Sequence, residues 1–171
     1  MILLANIKQT KKDKVFEERV QKLTEINYNR LSNDRPRDIV ERDTRIGLIG
    51  EAAWKIYKPN SEYPPDDIFY YDIMDCGNRL EFKNTKTDSD TWFIRTNRTT
   101  GKSIYDYFYK QAKLGNIDYV IHTYTNEETG NVYAKYFAKA KTFESYVKPT
   151  NDGNTYYDVA EAVKNGDCKI L

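Results

Sequence analysis

Glu81 and Lys83 lie two residues apart in the short run RLEFKNTK at 79–86. A strand sends side chains i and i+2 to one face, so a carboxylate and an ammonium would stand together while Leu80 and Phe82 point the other way. On an open surface such a pair is worth about 0.5 kcal/mol. Beside a second carboxylate it becomes half of a metal site with a lysine attached. The preceding run IFYYDIMD at 68–75 offers Asp72 and Asp75 for that role, with Gly77-Asn78 between the two runs as a hairpin signal. A two-residue turn there sets Cys76 opposite Arg79, Met74 opposite Glu81 and Asp72 opposite Lys83. Cross-strand partners share a face, so Asp72, Glu81 and Lys83 converge while Ile73, Leu80 and Phe82 are buried behind them. A three-residue turn slips the register by one and puts Asp75 in the place of Asp72. Met74 and Ile73 are both acceptable core residues, so the apolar alternation leaves that choice open.

Two carboxylates and a lysine on one face have a definite chemical use. Mg²⁺ takes oxygen ligands and keeps several waters. Held by two carboxylates, it polarises a phosphoryl oxygen and lowers the pKa of a bound water. An ammonium beside it offsets charge on the attacked phosphate or orients the water.

The elements that must position these residues are readable from periodicity. Phe16, Val20 and Leu23 give helical spacing over 13–31, and Ile39, Ile46, Ile49, Ala53 and Ile56 form the apolar stripe of a second helix from about Pro36 to Tyr57. KPNSEYPPDD at 58–67 is a loop by its Pro, Asn and Ser content. After the two hairpin runs, TWFIRT at 91–96 reads as a third strand and SIYDYFYKQAKLG as a helix ending at Gly115. DYVIHTYT at 118–125 and VYAKYFA are further strands, and FESYVK and YYDVAEAVKNG read as short closing helices. This order predicts a single α/β domain over residues 1–171, a mixed central β-sheet flanked by helices.

The stretch YYDIMDCGNRLEFKNTK at 70–86, preceded by GLIGEAAWKIY at 47–57, resembles the PD-(D/E)xK nuclease superfamily. That resemblance implies a restriction-endonuclease-like core over about 36–140, with extra helices at both ends. It implies Glu51 as the helix glutamate, Asp72 and Glu81 as metal ligands with the backbone carbonyl of Phe82 as a further ligand, and Lys83 as the catalytic lysine. It also implies Mg²⁺- or Mn²⁺-dependent hydrolysis of DNA, often by homodimers. Glycine inside a helix costs about 1 kcal/mol against alanine, so Gly47 and Gly50 call for a packing reason: they would let this helix approach the sheet and bring Glu51 to the metal. The literal Pro65-Asp66 departs from the family's spacing. In a continuous hairpin Asp66 would pair roughly 20 Å beyond Lys83, so it is read as loop.

The net charge of +1 excludes a uniformly basic coat protein, but residues 79–113 carry eight Lys or Arg against four Asp or Glu. Within that segment Arg95, Arg98 and Lys102 are expected phosphate-backbone contacts. TNRTTGKS at 96–103 lacks the first glycine of a phosphate-binding loop. Tyr105, Phe108, Tyr109 and Ala112 recur at core-stripe spacing, and His122 alone makes a histidine metal site or triad a poor reading. Cys76 and Cys168 are too few for a disulfide framework, and no apolar run reaches membrane-spanning length. A reducing cytoplasm is the expected setting. The rival to an enzyme is a non-catalytic module on the same fold, gripping nucleic acid or a protein.

Overall fold

The computed structural model describes residues 1–30, 35–65, 67–94 and 105–171. Along the chain come β1 (Ile2–Asn6), α1 (Ile7–Thr10), α2 (Lys14–Arg30), α3 (Arg37–Tyr57), β2 (Ile73–Asp75), β3 (Asn78–Thr85) and β4 (Trp92–Ile94). They are followed by α4 (Asp106–Lys113), β5 (Tyr119–Thr125), β6 (Asn131–Lys139) and α5 (Ala140–Phe143). A 3₁₀ turn (Glu144–Tyr146) leads to β7 (Val147–Pro149), β8 (Thr155–Tyr157), α6 (Val159–Lys164) and β9 (Cys168–Ile170).

The expected architecture holds: a mixed central sheet flanked by helices. Its strand order is β1-β6-β5-β3-β2, and β9 pairs with β6 beyond the end of β1. β3 and β5 are parallel, with Glu81 beside Val120 and Lys83 beside His122. That register is pinned where the two strands begin. Arg79 donates through Nε and Nη2 to the two Asp118 carboxylate oxygens at 2.9 and 3.0 Å, and its backbone N–H adds a third bond at 2.8 Å. A bidentate guanidinium–carboxylate pair admits one register only.

Each face of the sheet has its own core. Leu80, Phe82 and Ile121 pack with Ile49, Ala52 and Trp54 of α3 and with Phe16 and Val20 of α2. Val120 lies on the other face, packed with Trp92, Tyr105, Phe108, Phe143 and Tyr157. The α4 stripe is core, as its spacing predicts, and His122 is buried and stacks against both Trp92 and Tyr136.

Several expectations need correction. The hairpin turn is Cys76-Gly77, one residue earlier than Gly77-Asn78, because both residues adopt positive φ (50° and 79°) as a two-residue I′ loop requires. The partners are therefore Ile73–Leu80, Met74–Arg79 and Asp75–Asn78, a register two residues away from that expected. The third strand does not join the central sheet; β4 pairs with β8 in a separate three-stranded sheet, β4-β8-β7. Both stretches read as closing helices are part strand: FESYVK runs into β7, and YYDVAEAVKNG begins as β8. The chain also opens with a strand, β1, on the edge of β6. Among the described residues a Cβ on Gly47 would meet nothing within 4 Å, so of the two glycines it is Gly50 that marks a close approach of α3 to the sheet.

Candidate active site

β2 begins only at Ile73, so beyond Leu80 the outer edge of β3 has no strand partner among the described residues. Asp72 occupies that edge. Its N–H donates to the Leu80 carbonyl at 2.8 Å, and its Oδ2 accepts the Phe82 N–H at 2.7 Å. The N–H and C=O of one strand residue point to the same side, so the Phe82 carbonyl is aimed at the same open edge.

Glu51, Asp72, Glu81, Phe82 and Lys83 line one cleft of about 350 Å³, walled by the N-terminal half of α3 and by Leu23 and Asn27 of α2. Glu81 and Lys83 share a face of β3, as i and i+2 must, and form an ion pair. Lys83 Nζ also lies 5.1 Å from the centre of the Tyr105 ring and 5.8 Å from that of Phe108. Glu51 reaches the cleft from α3 because Gly50 lets the helix lie against β5, where an added Cβ would stand 2.3 Å from Thr123 Oγ1. Its carboxylate is buried and accepts from Arg19 Nη2 at 2.6 Å, and the Arg19 guanidinium is 4.2 Å from the centre of the Tyr63 ring.

The acids interact strongly. Burial raises Glu51 to about 7, the Arg19 charge and hydrogen bond oppose that rise, Glu81 adds to it and Lys83 works against it. The Asp72 carboxyl is pushed well above the usual carboxylate range, first by burial and then by Glu81 and Glu51. Lys83 and the Phe82 N–H pull it back only in part. Burial favours neutral Lys83, but Glu81, Tyr105 and Asp72 outweigh it and hold the ammonium above its usual range. Glu81 has Lys83 and Glu51 has Arg19, whereas Asp72 has no ion-pair partner among the described residues.

That imbalance suits a bound cation. Among the described residues no group of three or more His, Cys, Asp or Glu side chains is placed to hold a metal by itself. Mg²⁺ does not require one, since one or two carboxylates, a carbonyl and waters suffice. Asp72, Glu81 and the Phe82 carbonyl are hard oxygen donors of that kind.

Asp75 lies elsewhere, accepting from Trp54 Nε1 at 3.1 Å. Arg95, Arg98 and Lys102 fall outside the described residues, as does Asp66. Arg19 and Tyr63 were missed by sequence reasoning. Arg19 lies three residues after Phe16 and four before Leu23, a weak signal that it shares the inward side of α2, and nothing local links it to Glu51. No protein-family model matches the sequence, and no curated protein does. Among the described residues no helix is long and apolar enough to cross a membrane.

Proposed function

We propose that this chain is a divalent-cation-dependent nuclease of the PD-(D/E)xK kind, an endonuclease hydrolysing phosphodiester bonds in DNA. The observation that carries the reading is the meeting of Glu51, Asp72, Glu81, Phe82 and Lys83 around the open edge of β3. Mg²⁺ or Mn²⁺ at Asp72, Glu81 and the Phe82 carbonyl would supply polarisation of the phosphoryl oxygen and a water of lowered pKa. Phe82 N–H fixes the Asp72 carboxylate. Lys83, held charged by its acidic neighbours, presents positive charge to the oxygens that gain charge as the bond breaks. Glu51, raised to about 7, is suited to exchange a proton near neutral pH.

One observation favours the rival, a non-catalytic binding module. Glu81–Lys83 and Arg19–Glu51 are already paired with each other, and such pairs can be purely structural. Cleavage of circular DNA, single-stranded and supercoiled duplex, separates the two readings when run with and without Mg²⁺. Glu81→Ala and Lys83→Ala should each lower cleavage about a hundredfold or more, the usual worth of a placed charge at such a site. Glu81→Ala should also lose thermal stabilisation by Mn²⁺, while Lys83→Ala keeps much of it. Cleavage undiminished in both variants places the site elsewhere. Absence of cleavage and of metal stabilisation in the wild type favours the binding module.

A further inference from the structure

A second, smaller pocket of about 120 Å³ adjoins the candidate active site, and Asp72 and Leu23 line both. Its walls are Arg19 of α2 on one side and Pro64, Pro65 and Phe69 of the loop before β2 on the other. Phe69 is 49% exposed although it belongs to this apolar wall. The Arg19 side chain is 23% exposed and lines this pocket while its Nη2 donates to Glu51, so it brings positive charge to the pocket wall. A chain threading the cleft past Asp72 would therefore run onto an exposed aromatic side chain and a guanidinium.

We propose that this pocket holds an unpaired nucleotide next to the scissile bond, so that the site acts on single-stranded nucleic acid or unpaired tails. The base would stack on Phe69 and its phosphate would face Arg19. Aromatic side chains beside a cationic groove bind single strands because every free base offers a π-face. In a duplex those faces are covered by neighbouring base pairs, and exposing one requires unpairing or extrusion. The cleavage part of this inference rests on the nuclease reading above; the binding part does not.

The test measures binding of a short fluorescent oligo(dT) and of a blunt duplex, without added metal, by wild type, Phe69→Ala and Phe69→Trp. The same proteins are then assayed in Mg²⁺ on a duplex carrying a single-stranded tail. Wild type should prefer oligo(dT), and Phe69→Ala should weaken that binding about tenfold while leaving duplex binding unchanged. Phe69→Trp should retain it, and cuts should fall in the tail. Equal binding and cutting of blunt duplex, or oligo(dT) binding unaffected by Phe69→Ala, overturns the proposal. If cutting needs Glu81 and Lys83 but ignores Phe69, the nuclease reading stands and this inference fails. If nothing is cut yet oligo(dT) binding depends on Phe69, the single-strand pocket stands and the nuclease reading fails.

Discussion

Gly50→Ala is the substitution by which the geometry that brings Glu51 to the sheet can be tested without any assumption about activity. The added Cβ would lie 2.3 Å from Thr123 Oγ1, 3.3 Å from its Cβ and 3.4 Å from its Cγ2. Thr123 is fully buried, and its hydroxyl donates to Asn84 Oδ1 at 3.0 Å. Asn84 Nδ2 in turn donates to the Ile46 carbonyl of α3 at 3.0 Å, so the contact lies inside a bridge between β5, β3 and the helix. Either α3 lifts away or the Thr123 hydroxyl turns and abandons Asn84. Overpacking of this kind costs about 1–3 kcal/mol and a lost buried hydrogen bond about 1 kcal/mol, against a gain of about 1 kcal/mol in helix propensity. The net is a loss of about 1–3 kcal/mol, a fall in Tm of roughly 3–10 °C for a chain of this size. Gly47→Ala is the internal control: a Cβ there meets nothing within 4 Å among the described residues, and the change should stabilise by about 0.5–1 kcal/mol. Urea unfolding with an unchanged m-value measures both. Combining Gly50→Ala with Thr123→Ala should cost less than the sum of the two single changes, a coupling of about 0.5–3 kcal/mol. Equal stability of Gly50→Ala and Gly47→Ala, or strict additivity with Thr123→Ala, would refute the close approach.

Burial and the nearby Lys135 charge lower His122 to about 3, so folding disfavours its proton. The contribution is fully present above pH 6.5 and is lost as pH falls through 3. His122→Phe should therefore reduce the stability lost between pH 7 and 4 by on the order of 3 kcal/mol. Glu51, raised to about 7, contributes with the opposite slope, but it is common to both proteins and cancels in their difference. Parallel pH profiles of wild type and His122→Phe would show that His122 is not held neutral. Cys76→Asn should raise Tm by roughly 1–4 °C, because Asn-Gly suits two positive-φ positions where Cys76 sits at 50°; an unchanged Tm would place no strain at the turn.

What the sequence discloses depends on whether an element's partner is local. α3 begins and ends within one residue of its expected span, since Pro36 precedes it and Pro59 follows its last turn. β4 was legible as a strand, with Trp92 and Ile94 buried and Phe93 exposed, but not as a member of another sheet. Its partner β8 lies in a stretch whose Tyr156 and Tyr157 favour a strand before Asp158 caps α6 by accepting from the Glu161 N–H. The Asp158-to-Glu161 spacing marks that boundary, and the apolar helical spacing after it masked the strand before it. β1 was missed because a short apolar run becomes a strand only when β6 offers it an edge.

The misplaced turn still leaves Asp72 next to β3, and part of the reason lies in strand symmetry. Moving a two-residue turn by one position changes every cross-strand partner by two, and a strand repeats its side every two residues. By that count position 72 falls on the side of Glu81 and Lys83 whether its partner is residue 83 or residue 81, and only an odd slip would have brought Asp75 in; Asp72 itself, however, lies just before β2. Asp75 instead accepts from Trp54 Nε1, a structural role for the acid that the sequence could not distinguish. The site nonetheless differs from a simple sheet face. Because β2 begins only at Ile73, Asp72 acts at the edge, where its carboxylate accepts the Phe82 N–H in place of a longer strand's carbonyl. Glu51 then comes from the α3 side, Glu81 and Lys83 from the other, and the three acids line one cleft around the edge rather than sharing one sheet face. A longer β2 would close that edge, pairing the Phe82 N–H and carbonyl and separating Glu51 from Glu81. The shortness of β2 is thus what leaves the Asp72 carboxylate and the β3 edge open to the cleft.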